Sequence, residues 1–200
     1  ELAMSINQKI QFQWLTVVVG LLLLGGKFLA FYLTGSNIIL SDALESLVNT
    51  TTGIFGLYSL YLAAKPRDED HPYGHGKIEF ISAGLEGGLI TLAGIGILVK
   101  SVYNLVNPEV LDQLDIGIAI VAVAGMVNYL VGYYAERIGR KNNSLTLIAS
   151  GKHLKTDAYT TIAMLIGLGL ILLTGKVWLD SAISLLLGIL IIYTGVRLIR

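Results

Sequence analysis

The chain has 200 residues, of which 54% are hydrophobic and only 14% are charged. Soluble domains average about 45–50% apolar and about 25% charged residues, so this composition indicates a membrane protein. The formal net charge is zero and cysteine is absent. These two facts argue against a nucleic-acid partner and exclude disulfides and thiolate metal sites within this sequence.

Six stretches of the sequence are long and apolar enough to span a bilayer, which requires about 20 mostly apolar residues. Turn-forming residues separate them. In chain order they are residues 12–34, 38–64, 78–106, 116–135, 145–174 and 177–198. We therefore predict an all-α membrane protein with one domain, a bundle of six transmembrane helices over residues 1–200. The second and fifth stretches contain polar residues, so we expect them to be the least hydrophobic.

The basic residues outside these stretches predict the orientation of the bundle, because they favour the cytoplasmic side. All but one of them fall on the same side of the predicted membrane, and the exception is Lys176. The side with Lys176 also carries the acidic residues Glu109, Asp112 and Asp115. Both chain termini are therefore predicted to be cytoplasmic.

Two of the predicted spans carry a pair of metal-capable residues four positions apart. The second span has Glu45 and Asn49, and the fifth has His153 and Asp157. This spacing places each pair on one helix face. At 1.5 Å per residue, the first pair lies about 10–17 Å from the outer side and the second about 12–18 Å from the inner side. Both pairs reach the middle of a hydrocarbon core about 30 Å thick.

Ionisable side chains inside a membrane cost several kcal/mol and usually mark function. The two pairs predict one mid-membrane metal site with two ligands from each helix. The alternative is that the four residues make separate polar contacts between packed helices. Imidazole suits zinc, iron and nickel, whereas carboxylate and amide oxygens suit harder ions such as manganese. Metal ligands must lose protons before they bind, so a site that holds either protons or a metal ion has the minimal chemistry of an antiporter.

Other residues within the spans receive weaker predictions. We expect Asn128 and Asp180 to serve in packing or at an interface, with a place beside the site or along a water-filled cavity as the alternative. Glu86 is expected to face a water-filled path or to be solvated through a tilt of the chain. The spacing of Gly84 and Gly88 is typical of closely packed membrane helices.

Three motifs of the sequence resemble the cation diffusion facilitator family of proton-coupled metal exporters, and most of all its bacterial iron/zinc-like branch. The motifs are SDALESLVN at 41–49, HPYGHGKIE at 71–79 and HLKTD at 153–157. The resemblance runs across essentially the whole chain. It implies a homodimer, alternating access, and a transport site made by the second and fifth helices. The residues at the matching positions are Glu45, Asn49, His153 and Asp157.

The sequence departs from the familiar pattern of this family in the second helix. Familiar bacterial members have Asp-x-x-x-Asp there, whereas this chain has Glu45 and Asn49. Asn49 cannot ionise, so the site has one titratable carboxylate fewer, which leaves the metal and the proton stoichiometry open. We expect zinc, because His153 favours it and two carboxylates balance its charge; iron, manganese, cobalt, nickel and cadmium are the alternatives.

The resemblance also implies a second metal site in the loop after the second helix. Its residues would be Asp68, His71 and His75, and the alternative is a polar loop that forms a turn. Members of the family usually carry a cytoplasmic ferredoxin-like domain after the sixth helix. This chain stops at Arg200, where that domain would begin, so we expect the domain to be absent from it.

The expected function is therefore the proton-coupled export of a divalent metal ion, with zinc as the expected substrate, across the inner membrane of a bacterium. The partners are metal ions, protons and the lipid bilayer, and no cofactor is expected. One alternative is a sodium–proton antiporter on the same scaffold, against which His153 argues. Another is a non-transporting membrane protein that senses metal through the loop histidines. The sequence has no His-Glu-x-x-His or Gly-x-Ser-x-Gly motif, and we expect no enzymatic activity.

Overall fold

The computed structural model describes residues 6–63, 77–142 and 145–199, and every regular element within them is an α-helix. There are six, which confirms the predicted all-α class. In chain order they are α1 (Ile6–Thr34), α2 (Asn37–Ala63), α3 (Lys77–Val106), α4 (Leu114–Lys141), α5 (Leu145–Thr174) and α6 (Trp178–Ile199). The helix ends lie within two residues of the predicted spans in most cases. The exceptions are the start of α1 and the end of α4, each of which extends six residues beyond its predicted span.

Five of the described helices contain a stretch that is long and apolar enough to cross a membrane: α1, α3, α4, α5 and α6. The first half of the second helix contains the polar residues Asp42, Glu45 and Asn49. The least apolar of the five is α5. This agrees with the expectation for α5, but over its whole length α4 is less hydrophobic than either α2 or α5, because it ends in a charged segment.

The helices form two closely packed pairs, α4 with α5 and α3 with α6. A Cβ atom placed on Gly132 of α4 would lie 2.8 Å from the carbonyl oxygen of Gly151 in α5. A Cβ atom on Gly94 of α3 would lie 3.0 Å from the carbonyl oxygen of Gly188 in α6. In both pairs the absence of a side chain allows the two backbones to touch, as small residues do in membrane bundles.

The close packing predicted at Gly84 and Gly88 is not found among the residues that the structure describes. No described atom lies within 4 Å of a Cβ position built on either glycine. The physical reason is that α3 meets α6 along another line of small residues. On that line a Cβ atom on Gly195 would lie 2.8 Å from the carbonyl oxygen of Gly87.

The buried apolar core lies at the predicted outer end of the bundle. It combines the end of α1, the start of α2, the start of α4 and the end of α5. Its most buried members are Ala30, Ile38, Ile39, Val121 and Leu168. The outer half is therefore closed by tight apolar packing, and the cavities described below lie on the predicted cytoplasmic side of it.

Asp180 of α6 caps the amino-terminal end of α2. Its carboxylate accepts hydrogen bonds from Ser36 Oγ at 2.5 Å, from the backbone N–H of Asn37 at 2.6 Å and from the backbone N–H of Ile38 at 3.3 Å. A negative charge at a helix amino terminus is favourable because the terminal N–H groups have no partner within the helix. The packing role expected for Asp180 is confirmed, and this contact fixes where α2 begins and hence how deep Glu45 lies.

Candidate metal-transport site

The four residues predicted to form the transport site are linked through Asp157. The Asn49 side chain of α2 donates a hydrogen bond to the Asp157 carboxylate on α5. His153 Nε2 lies 3.7 Å from Asp157 Oδ2, one turn away on the same helix. Glu45 is close enough to Asp157 for the two negative charges to repel one another. The structure therefore brings one pair from α2 and one pair from α5 to the same part of the bundle.

These side chains border a cavity and do not enclose a single point. Within residues 6–63, 77–142 and 145–199, no group of three or more His, Cys, Asp or Glu side chains is close enough to hold a metal ion together. The imidazole of His153 is 53% exposed, whereas the Asp157 carboxylate is only 15% exposed. A shared coordination of one ion therefore requires these side chains to move closer together, and the metal site remains a prediction.

Two cavities meet at these residues. The larger has a volume of about 630 Å³ and is lined by all four predicted site residues, and also by Glu86 of α3 and Arg197 of α6. The smaller has a volume of about 140 Å³ and includes Lys27 of α1 in its lining. Three residues belong to both linings and so form the wall between the cavities: Asn49, His153 and Asp157.

The linings bear on the alternatives left open for Glu86 and Asn128. Glu86 borders the larger cavity, whose volume far exceeds the roughly 30 Å³ that one water molecule occupies. This agrees with the expected water-filled path. Asn128 is buried, in agreement with the expected packing role, and it also borders the smaller cavity, as the alternative expected.

Sequence reasoning missed a buried ion pair beside the site. Lys27 Nζ lies 2.8 Å from Asp42 Oδ1 and donates a second hydrogen bond of 2.7 Å to Ser46 Oγ. The side chains of Lys27 and Asp42 are only 1% and 5% exposed. The sequence did contain a signal for this pair, because Lys27 stands within an apolar stretch of α1. A charged side chain inside a membrane costs free energy unless it has a partner.

A second group of charges ties α4 to α5 near the predicted cytoplasmic end. Glu136 of α4 accepts a hydrogen bond of 3.1 Å from Lys155 Nζ on α5 and one of 2.6 Å from Arg140 Nη2. Lys155 is two residues from Asp157, so this network helps to hold the part of α5 that carries His153 and Asp157.

The second metal site predicted in the loop after α2 remains a prediction. Its residues Asp68, His71 and His75 lie outside the described residues.

Ionisable residues around a cavity within a bundle of membrane helices are typical of transporters. Residues 14–200 match the family model described as the cation efflux transmembrane domain. The chain belongs to the cation efflux family, as the sequence motifs indicated, and this is a family of transporters.

The chain is also similar to several individual transporters. It is 41% identical over 186 residues to an uncharacterized transporter of the cyanobacterium Synechocystis, covering 93% of this chain and 60% of that protein. It is 32% identical over 154 residues to an uncharacterized transporter of Methanocaldococcus jannaschii, covering 76% of this chain and 54% of the relative. It is 30% identical over 172 residues to the cation-efflux pump FieF of Serratia proteamaculans, covering 86% and 57%. The chain therefore spans little more than half the length of these relatives.

Proposed function

We propose that the chain exports divalent metal ions, zinc first among them, across the inner membrane of a bacterium in exchange for protons. The observation that carries this proposal is the set of contacts that joins Glu45 and Asn49 of α2 to His153 and Asp157 of α5 at one cavity. A relative named as a cation-efflux pump supports the direction of transport. The resemblance to the family adds a homodimer as the proposed assembly.

The donor set suits a divalent ion of borderline softness. Two carboxylates supply two negative charges, imidazole supplies nitrogen and an amide supplies oxygen, and zinc accepts a four-coordinate arrangement of such ligands. Asn49 donates its NH₂ group to Asp157 in this structure. An amide carries both a donor and an acceptor, so metal binding would require the Asn49 oxygen to turn towards the ion while Asp157 exchanges the amide hydrogen bond for the metal.

Proton exchange follows from the same residues. Imidazole and carboxylates bind a metal ion only in their deprotonated forms, so metal binding releases protons and metal release takes them up. His153 is suited to this exchange because an unperturbed histidine titrates with a pKa of about 6.5. The site would then carry protons in one direction and metal in the other.

Alternating access would use the uneven packing of the bundle. The larger cavity leads from Asp157 towards Arg197 at the end of α6, which is the predicted cytoplasmic end. The apolar core closes the opposite half. A metal ion would enter through this cavity, draw α2 and α5 together, and leave after the core at the outer end had opened.

Zinc flux into proteoliposomes that contain the purified chain and a pH-sensitive dye tests the proposal. With zinc outside, we expect zinc to enter and the lumen to become alkaline as protons leave. Asp157→Asn should abolish both signals, whereas Asp112→Asn, in the exposed segment between α3 and α4, should preserve them. Zinc flux without a proton signal would refute the antiport mechanism. Sodium flux without zinc flux would establish the sodium alternative, and full flux in Asp157→Asn would exclude this site.

A further inference from the structure

The buried Lys27–Asp42 ion pair lies next to the proposed transport site without being one of its ligands. Lys27 lines the smaller cavity together with Asn49, His153 and Asp157. Its ammonium donates hydrogen bonds to Asp42 and to Ser46, and Ser46 is the neighbour of Glu45 in sequence. A cation is therefore built into the wall of a site that is proposed to bind cations.

The charges of this pair act on both proposed carboxylate ligands. Lys27 attracts and Asp42 repels the negative charges of Glu45 and of Asp157. Buried charges interact strongly because the protein and lipid around them screen weakly. The two members of the pair act in opposite directions, so each offsets part of the effect of the other on the site.

Only one oxygen of Asp42 has a hydrogen-bond partner in the part of the chain that the structure describes. Oδ1 accepts the bond from Lys27, whereas Oδ2 is buried without a hydrogen bond from any described group. Asp42 precedes Glu45 by three residues, so the two lie about one turn apart on the same side of α2. Lys27 is thus what restrains a third carboxylate that is within one helical turn of the proposed ligands.

We propose that Lys27 sets the charge of the transport site by neutralising Asp42, so that the site offers two uncompensated carboxylates, Glu45 and Asp157, to a divalent ion. This inference rests on the proposed function. Lys27 is a positioning residue in this scheme, because it acts through Asp42 and does not touch the metal. A third free carboxylate would hold the ion too tightly to release it, and an unpaired ammonium would repel it.

Removing each partner of the pair should change zinc affinity in opposite directions. In Lys27→Met, Asp42 becomes an additional negative charge, and we expect the Kd for zinc to fall at least about tenfold. The turnover of zinc flux should fall as well, since release becomes slower, so KM and kcat decrease together. In Asp42→Asn, Lys27 is left unpaired, and we expect the Kd to rise at least about tenfold.

The double variant Lys27→Met/Asp42→Asn removes both charges at once. Its Kd for zinc should lie within about threefold of the wild-type value, because the two electrostatic effects cancel. The Kd of Lys27→Arg should also lie within about threefold of the wild-type value, because arginine keeps the positive charge beside Asp42. Lys100→Met is the matched control: Lys100 also pairs with a carboxylate, that of Glu109 at 3.6 Å, but it lines neither cavity. Its Kd should equal that of the wild type.

Calorimetric titration of zinc into the purified chain at one pH, with flux measured in proteoliposomes, gives all of these quantities. Affinity that falls in both single variants would overturn the charge-setting role, since a structural ion pair loses function whichever partner is removed. Affinity that changes in neither would overturn it too. If a single variant fails to fold, the Lys27→Arg and double variants decide, and a loss of more than about tenfold in the double variant contradicts the inference. A wild type that binds no zinc would instead refute the proposed function itself.

Discussion

Replacement of Asp180 by alanine tests whether the cap on α2 is as important as its geometry indicates. The Asp180 carboxylate is only 2% exposed and accepts three hydrogen bonds, from Ser36, Asn37 and Ile38. The alanine variant would leave two backbone N–H groups and one hydroxyl without their partner in a buried place. Water cannot replace the lost acceptor at low cost there.

The expected loss of stability follows from the number and kind of these bonds. Hydrogen bonds to a charged group contribute about 1.5–3 kcal/mol each, but the groups left behind relax, so we expect a total of about 3–5 kcal/mol for Asp180→Ala. Asp180→Asn keeps one acceptor oxygen and should lose about 1–2 kcal/mol. Unfolding of the purified chain in mixed detergent micelles, followed by circular dichroism, measures both values.

Asp115→Ala is the matched control, because Asp115 is an exposed aspartate in the first turn of α4. Its loss should change the free energy of unfolding by less than about 1 kcal/mol. If Asp180→Ala proved no less stable than Asp115→Ala, the cap would contribute nothing net. The argument that Asp180 fixes the start of α2, and with it the depth of Glu45, would then be refuted.

Two further predictions concern the helix pair α4–α5 and the proposed ligand Asn49. Gly151→Ala should destabilise the chain by about 1–3 kcal/mol, because the added Cβ would lie 2.6 Å from the carbonyl oxygen of Gly132. Gly169→Ala is the control, since no described atom lies within 4 Å of a Cβ position built there. Equal free energies of unfolding for the two variants would contradict the packing argument. Asn49→Asp should strengthen zinc binding at high pH and increase proton release, because it adds a titratable carboxylate, whereas Asn49→Ala should weaken binding. Calorimetry at two pH values measures both, and identical affinity and proton release in the three proteins would show that Asn49 is not a ligand.

The number and positions of the helices could be predicted because the bilayer imposes a length on each apolar stretch. The prediction failed at the end of α4, which continues six residues beyond its predicted span. Glu136 and Arg140, one helical turn apart, form an ion pair that supports a helix whose polarity suggested a loop. Hydropathy reports where an apolar span ends and not where the helix ends.

The residues of the candidate site, which remains a prediction, could be proposed from the sequence, but their surroundings could not. The pairs Glu45/Asn49 and His153/Asp157 are visible in the sequence because the two residues of each pair are four positions apart, about one turn of an α-helix. Lys27 has no such partner within α1, since Asp42 is 15 residues away on another helix. The cavities beside α2 and α5 were equally hidden, because they depend on how whole helices pack and not on any local pattern.

The packing gives a physical reason to place the proposed site between α2 and α5. The α5 half is attached to α4 by the close backbone approach at Gly132 and by the Glu136–Lys155 ion pair. The α2 half is attached to α1 and α6, through Lys27–Asp42 and through Asp180. A ligand shifts a conformational equilibrium only by the difference between its affinities for the two states. In the proposed mechanism, an ion that binds more tightly when these two units approach would supply the free energy for their movement, and the transported ion would itself cause the conformational change.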